Sequence, residues 1–287
     1  MPSELPPILV TGSTGKLGRV LRAVWPGMLM GKASPIWQVR SGARGVQWQI
    51  GAQPYVGPAL TGGVVLHLAG GRTDLDANIA LALAVCETAA RAGARHVFFA
   101  SSSAVYAPDD DRDLTEDTLP APTNAYGHAK LRMEQAVRDW ASSAGAKAPG
   151  ITLLRIGNVL GSDNLIGGIV EGRPVRLTPV PGRQGGPVRS YIGPRSFAAV
   201  LGQLCLRATG GGDLPAILNI AASPAVMMAA LLDAAGADWA YSQPTTDVMP
   251  RLVLSVDRMM GLVTLPPNAA DPDEMIAQWR NLSGHTR

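Results

Sequence analysis

The stretch "PILVTGSTGKLGRVLRAVW", residues 7–25, decides the fold of this chain. It joins a short apolar run, a turn that contains Gly12, Gly15 and Gly18, and a segment whose apolar residues have helical spacing. A strand, a glycine turn and a helix in this order form a phosphate site, because glycines let the backbone approach a pyrophosphate at the helix N-terminus. The pattern predicts a dinucleotide-binding turn; the alternative is an ordinary connection between a strand and a helix.

Strands and helices continue to alternate along the chain after this turn. Apolar runs predict strands at residues 36–39, 46–50, 63–70, 96–103 and 151–161, and apolar spacing predicts helices at residues 76–93 and 125–145. This alternation predicts an α/β fold, a Rossmann-type doubly wound parallel sheet.

The composition of the sequence changes after the last of these strands. Glycine and proline are frequent in residues 167–194, as in loops. Further elements are predicted as helices at residues 195–210 and 227–236 and as a strand at residues 215–221. We therefore predict a dinucleotide-binding Rossmann domain over residues 1–161 and a smaller, intermixed C-terminal substrate lobe over residues 162–287. Segments near residues 189–221 are expected to pack back on the Rossmann domain.

The composition argues against several classes of protein. No apolar run reaches the 18 or so residues that a membrane span needs, and the first residues lack the pattern of a secretion signal. The net charge of +3 without a basic block argues against a nucleic-acid partner. Cys86 and Cys205 lie in apolar, helix-like contexts and are expected to be reduced thiols. We predict a cytoplasmic protein that has no metal site.

The basic residues are mostly arginine, 21 against four lysines. The window from Gly172 to Gly212 has no acidic residue, and six arginines lie in it. Genomic base composition is one explanation. Anion recognition is the other, because the guanidinium fork matches a phosphate.

The predicted second strand ends in "QVRSGAR", residues 38–44, which bears on the choice of cofactor. Sites that prefer NAD usually have an acidic side chain there for the ribose hydroxyls. This chain instead has Arg40 and Arg44, which would attract a 2′-phosphate. We predict that NADP(H) is favoured and that NAD(H) is possible; the alternative is that both arginines point to water.

Six motifs share the order and intervals of a known family. They are "TGSTGKLG" (11–18), "HLAG" (67–70), "FFASSSAVYA" (98–107), "YGHAK" (126–130), "LRIGNVLG" (154–161) and "RSYI" (189–192). From residue 8 to about residue 221 the chain resembles the extended short-chain dehydrogenase/reductase family, the NAD(P)-dependent epimerase/dehydratase group that mostly acts on nucleotide sugars. Together with the charge argument for Arg40, the resemblance implies cofactor contacts by Thr11, Gly12, Thr14, Gly15, Lys16, Leu17, Gly18, Arg40, Leu68, Ala69, Gly70, Tyr126 and Lys130.

The resemblance also implies the catalytic residues. Tyr126 and Lys130 would share one face of a helix, since residues four apart have Cβ atoms about 5–6 Å apart. The ammonium and the nicotinamide ring would both favour the phenolate, so that Tyr126 can exchange a proton while hydride moves. The family pattern gives the polarising hydroxyl to Ser102, with Ser101 and Ser103 as neighbouring candidates. His67 is expected to be a packed, neutral side chain, and Asn78 to hold the active-site backbone.

Substrate contacts are implied for three residues: Ser103, Asn158 in "RIGNVLG", and Arg189 in "VRSYIG", the last as a diphosphate clamp. Relatives often continue the "RSYI" motif with a histidine and paired aspartates. This chain has Gly193-Pro194-Arg195 instead, which leaves the substrate open.

These features predict an NAD(P)-dependent oxidoreductase or epimerase that acts on a nucleotide sugar or a similar carbonyl or alcohol compound. A dehydratase is disfavoured, because Ser103-Ala104 stand where such enzymes usually have an Asp-Glu pair. The alternatives are a catalytically silent dinucleotide sensor or scaffold, and a reductase of a small non-nucleotide carbonyl compound. The predicted helices 76–93 and 125–145 imply, by resemblance, a homodimer built on a four-helix bundle.

Overall fold

The computed structural model describes residues 6–42, 44–71, 74–109, 111–170, 172–244 and 249–284. The strands are β1 (Pro7–Thr11), β2 (Ser34–Val39), β3 (Val46–Gln47), β4 (Val64–His67), β5 (His96–Ser102), β6 (Gly150–Ile156), β7 (Asn158–Val159), β8 (Val175–Leu177), β9 (Val188–Arg189), β10 (Tyr191–Ile192), β11 (Ile217–Ile220), β12 (Val226–Met227), β13 (Trp239–Tyr241) and β14 (Arg251–Leu252). The helices are α1 (Lys16–Met28), α2 (Ala77–Arg91), α3 (Ala125–Ala144), α4 (Pro194–Thr209), α5 (Met228–Ala235), α6 (Asp257–Met260) and α7 (Pro272–Ser283).

The main sheet has the strand order β11-β6-β5-β4-β1-β2-β3. β1 lies between β2 and β4 and is parallel to both, with Leu9 opposite Ile36 on one side and Val65 on the other. Successive strands are added on one side of β1 as far as β3 and on its other side from β4 onward, so the order of strands switches between β1 and β4. Ligands bind at such a switch point, outside the carboxyl ends of the strands. This order confirms the predicted Rossmann-type doubly wound sheet.

The central strands are mostly apolar because both faces of the sheet are covered. Ile8, Leu9 and Val10 of β1 are fully buried, and α1 buries Leu21 and Trp25. On the opposite side, α2 and α3 pack against each other and contribute to a core with the side chains of β1, β4 and β5. Burial of this kind stabilises a fold by roughly 25 cal/mol per Å² of apolar surface.

Several element ends follow from single residues. Gly93 adopts a φ of +70° directly after α2, and the side chain of Asn124 accepts a hydrogen bond from Gly127 N at the start of α3. The strand predicted at 63–70 ends at His67, because the chain turns away through Gly70, at a φ of +159°. The strand predicted at 151–161 divides at Gly157, so that β7 pairs with β10 instead of continuing in the main sheet.

The chain divides into two compact units. The first consists of Met1–Val105, Pro120–Arg155 and Leu201–Leu218, and the second of Tyr106–Leu119, Ile156–Val200 and Asn219–Arg287. The second unit contains small sheets of two or three strands, together with α5, α6 and α7. No described helix combines the length and apolar character needed to cross a membrane.

Candidate active site

The glycine turn lies between β1 and α1 in the first unit. Gly12 has a φ of +69°, and a Cβ at this position would lie 2.5 Å from Ala69 N, in the "HLAG" turn. A Cβ at Gly18 would lie 2.5 Å from Ser13 Cα, so the first turn of α1 packs directly on the loop. That first turn has no acidic side chain. The positive end of the helix and the closely packed backbone therefore fit the phosphates of a dinucleotide.

Gln38, which sequence reasoning missed, holds this turn in place. It is buried near the end of β2, where its Oε1 accepts a hydrogen bond from Gly12 N at 2.9 Å. Its Nε2 donates to Trp48 O at 2.7 Å, and its own carbonyl accepts from Ser13 Oγ at 2.5 Å. The only signal in the sequence was a lone polar residue near the end of an apolar strand.

Three arginines lie around the end of β2. Arg40 and Arg44 are exposed. Arg22 reaches across from α1: its Nη2 donates to Ser13 Oγ at 2.8 Å and to Arg44 O at 3.0 Å, and its guanidinium stacks over Trp37 at 5.2 Å. Burial, together with the charge of Arg44, lowers the pKa of Arg22. The glycine turn therefore has a cationic border.

Tyr126 and Lys130 lie on the same side of α3. The Lys130 ammonium is 5.9 Å from the centre of the Tyr126 ring, and it donates to Ala100 O, on β5, at 2.8 Å. A Cβ at Gly70 would lie 3.9 Å from the same ammonium, which places Lys130 beside the "HLAG" turn. The two predicted residues therefore meet at the carboxyl edge of the sheet, where the glycine turn also lies.

The start of α3 approaches the end of β5 closely because residue 127 is glycine. A Cβ there would lie 2.9 Å from Ala104 C and 2.9 Å from Pro122 Cβ. This contact brings the residue after Tyr126 against the turn that follows Ser102.

Burial sets the charge state of the groups around Lys130. The side chain is 7% exposed, and burial lowers the pKa of its ammonium to about 8, while the charge of Glu134 acts in the opposite direction. Burial and the charge of Lys130 also lower the pKa of His67 to about 3. His67 Nδ1 shares a 2.8 Å hydrogen bond with Thr11 Oγ1. A buried, neutral His67 agrees with the packing role expected for it.

The three serines have different environments. Ser101 is buried and donates to Glu134 Oε1 at 2.5 Å, so its hydroxyl is already engaged. Ser102 is half-buried at the end of β5 and accepts from Ala104 N at 3.2 Å. Ser103 begins a 3₁₀ turn, also half-buried. Of the three candidates, only Ser102 and Ser103 are partly exposed.

Asn78 has the structural contacts expected of it. Its Oδ1 accepts from Gly71 N at 2.9 Å and its Nδ2 donates to Gly71 O at 3.1 Å. The side chain thus clamps the backbone that follows the "HLAG" turn.

The two predicted substrate residues Asn158 and Arg189 belong to the second unit. Asn158, on β7, lies opposite Tyr191 and donates to Ser190 O at 3.4 Å. Arg189 donates to Val188 O at 2.8 Å and to Met249 O at 2.5 Å. Other arginines of the acid-free window make similar bonds, since Arg183 donates to Pro250 O at 3.0 Å. These guanidinium groups therefore bind backbone carbonyls of their own chain.

The described residues contain no group of three His, Cys, Asp or Glu side chains that could hold a metal ion. The fold and the site define a Rossmann-type protein that has a tyrosine–lysine pair beside a dinucleotide turn.

Comparison with known proteins finds a family model that matches part of this chain. Residues 58–173 match the model of the NAD dependent epimerase/dehydratase family. The matched region carries the serine run and the Tyr126–Lys130 pair, which confirms the resemblance of the motifs there.

Curated relatives match over part of the chain. The UDP-glucose 4-epimerase of Corynebacterium glutamicum is 35% identical over 104 residues, 36% of this chain and 30% of that protein. The UDP-arabinose 4-epimerase 1 of Arabidopsis thaliana is 35% identical over 81 residues, 28% of this chain and 19% of that protein. The matched stretch thus spans less than a third of either relative.

Solved structures match over nearly the whole chain. MoeE5 in complex with UDP-glucose and NAD has a TM-score of 0.72 at 21% identity, covering 96% of this chain and 98% of that one. The UDP-N-acetylglucosamine 4-epimerase from Methanobrevibacter ruminantium M1, in complex with UDP-N-acetylmuramic acid, has a TM-score of 0.74 at 15% identity, covering 99% and 100%. At these identities the likeness establishes the fold.

Proposed function

We propose that this chain is an NAD(P)-dependent epimerase that inverts a secondary alcohol of a nucleotide sugar. The observation that carries the proposal is the buried Lys130 ammonium, which lies 5.9 Å from the Tyr126 ring and next to Gly70 of the "HLAG" turn. A proton-transfer group and a dinucleotide turn at one sheet edge suit hydride chemistry. The curated relatives named above are UDP-sugar 4-epimerases, which favours an epimerase over a reductase.

In the proposed reaction, the Tyr126 phenolate removes the proton of a sugar hydroxyl while a hydride leaves the carbon that carries this hydroxyl. When bound, the nicotinamide ring accepts this hydride and later returns it. Lys130 stabilises the phenolate, and Ser102 donates a hydrogen bond to the reacting oxygen. With a cofactor bound, return of the hydride to the opposite face of the keto sugar would invert the carbon, and Tyr126 would return the proton to its oxygen. The reaction is redox-neutral overall.

We also propose that the cofactor is preferentially NADP(H). The described residues that follow β2, numbered 40–42 and 44, include two arginines and no carboxylate. Arg22 adds a third guanidinium beside Ser13. A 2′-phosphate would find charge-assisted donors there. Five of the solved neighbours are complexes with NAD or NAD⁺, so NAD(H) is the other candidate.

A reductase of a smaller carbonyl compound is the second candidate function. It is favoured by the bonds of Arg189 to Val188 O and Met249 O, which engage the guanidinium predicted to clamp a diphosphate.

As a further part of the proposal, we expect a homodimer that pairs α2 and α3 across a two-fold axis. Light scattering at micromolar protein would give twice the chain mass, and a monomer mass would exclude this arrangement.

The test uses the purified full chain with UDP-glucose, UDP-galactose and UDP-arabinose, each with NAD⁺ or NADP⁺. Anion-exchange chromatography follows interconversion of the sugars, and absorbance follows the reduced cofactor. We expect a sugar to interconvert with no net accumulation of reduced cofactor. Net consumption of NADPH with a simple ketone, and no binding of a nucleoside diphosphate below millimolar concentration, would instead support the reductase.

A further inference from the structure

A fully buried ionic cluster lies behind the tyrosine–lysine pair in the first unit. Glu134 of α3 and Arg155 of β6 are 0% and 1% exposed. Arg155 Nε donates to Glu134 Oε1 at 3.1 Å, and its Nη2 donates to Oε2 at 2.8 Å. Ser101 adds its hydroxyl to Oε1 at 2.5 Å. The carboxylate is therefore held by three donors from two strands.

Two members of this cluster, Glu134 and Ser101, lie close in the sequence to residues of the proposed chemistry. Glu134 follows Lys130 by four positions, one turn along α3, and therefore lies on the same side of the helix. Ser101 is flanked by Ala100, whose carbonyl accepts from Lys130, and by Ser102. The cluster thus fixes α3 to β5 at the level where the lysine, the polarising serine and the cofactor turn meet.

The cluster also controls the charge around the lysine. The ionisable groups that act on the Lys130 ammonium are Tyr126 and Glu134 from α3 and His67 from β4, while Arg155 approaches from β6 through Glu134. His67 is neutral at physiological pH because burial lowers its pKa to about 3. Glu134 is therefore the anion that offsets two buried cations, and its charge raises the pKa of Lys130 against the effect of burial.

We propose that Glu134 is a positioning residue for the proposed reaction, held by Arg155 and Ser101 so that it keeps the Lys130 ammonium charged and in place beside Tyr126. This inference rests on the proposed function for its catalytic consequence, but its structural claim concerns Lys130 alone. A carboxylate used only to bind Arg155 would have no effect on how Lys130 titrates.

The primary variant is Glu134→Gln, which removes the charge and keeps an amide that can bond Ser101 and Arg155. It removes the carboxylate charge that raises the pKa of the buried Lys130 ammonium, so Lys130 should lose its proton at lower pH. The control is Glu116→Gln in the second unit, which neutralises another buried carboxylate, one that accepts from Asn219 N at 2.9 Å. Glu134→Asp keeps the charge and serves as the rescue variant.

The readout is NMR titration of selectively labelled lysine side chains in the full chain. Only four signals arise, and Lys16, Lys32 and Lys147 are exposed internal references. We expect Glu134→Gln to weaken proton binding at Lys130 by about tenfold or more, Glu134→Asp to recover most of it, and Glu116→Gln to change nothing. A folded Glu134→Gln protein whose Lys130 titrates as in the wild type would overturn the proposal.

If Glu134→Gln does not fold, the double variant Glu134→Gln/Arg155→Gln is used, because replacing both members of a buried pair avoids a lone buried charge. The proposal again expects Lys130 to titrate below the wild-type value, and an unchanged titration overturns it.

The same variants distinguish this proposal from the proposed function. With an active enzyme, Glu134→Gln should move the alkaline limb of the kcat profile to lower pH and leave KM within a few-fold. A wild-type chain that converts no nucleotide sugar contradicts the proposed function, whereas the lysine titration still decides the role of Glu134.

Discussion

Two helical glycines provide a matched test of how the site is packed. Gly127 of α3 and Gly27 of α1 both lie inside helices, where alanine is favoured by up to about 1 kcal/mol. A Cβ at Gly27 would meet nothing within 4 Å, whereas a Cβ at Gly127 would lie 2.9 Å from both Ala104 C and Pro122 Cβ. The nearest atom to this Cβ would be Ala104 O, which is closer still. Because ordinary contacts begin near 3.4 Å, the start of α3 would have to move by more than about 0.5 Å.

Overpacking should therefore lower the free energy of unfolding of Gly127→Ala by about 1–3 kcal/mol, which opposes the gain in helix propensity. Gly27→Ala should raise the free energy of unfolding by up to about 1 kcal/mol. Because Tyr126 precedes the displaced residue, we expect kcat to fall by about tenfold to a hundredfold, as misplacement near 1 Å does. Urea unfolding and initial rates of sugar interconversion measure both effects. If Gly127→Ala matches Gly27→Ala in stability and keeps wild-type kcat, the packing argument is refuted.

Further predictions concern the cofactor, the substrate and pH. Arg40→Asp should shift the ratio of NADP to NAD affinity towards NAD by at least tenfold; an unmoved ratio by calorimetry excludes Arg40. Arg189→Ala should weaken UDP binding at least tenfold but NADP(H) binding less than a few-fold. Arg183→Ala is the control, and an equal loss of UDP affinity in both variants would contradict a specific clamp. Burial lowers the pKa of Lys130 from 10.5 to about 8, so the unfolded chain binds more protons between these values and stability should rise with pH across that window. This pKa difference, 10.5 less about 8, corresponds to about 3 kcal/mol of stability. Urea unfolding of the Lys130→Met variant should not show the rise of stability with pH.

Where local pattern determines structure, the sequence was sufficient. The glycine turn and the helices predicted at 76–93 and 125–145 depend on neighbours a few residues away, and the structure agrees with the predictions for them. The predicted strand at 46–50 was too long, because Trp48 turns inward to donate to Gln53 O. Helix α7 was not predicted. Asp271-Pro272 at its start is a capping pattern, but this region lies beyond residue 221, where the resemblance ended.

The site was predictable only in part. The spacing of Tyr126 and Lys130 fixes their shared helix face, so their proximity followed directly. Gln38 and Glu134 act through partners 26 and 33 residues away, and no local pattern contains those distances. The bond that engages the Ser101 hydroxyl with Glu134 likewise joins residues far apart in the sequence.

The central claim is that Tyr126 exchanges the proton during hydride transfer, and Tyr126→Phe tests it most directly because only the hydroxyl is lost. The measurement is the initial rate of sugar interconversion by wild type and variant at saturating cofactor, with cofactor affinity determined on the same preparations. We predict that cofactor affinity stays within a few-fold while the rate falls by at least a thousandfold. A Tyr126→Phe enzyme that turns over near the wild-type rate would contradict the account.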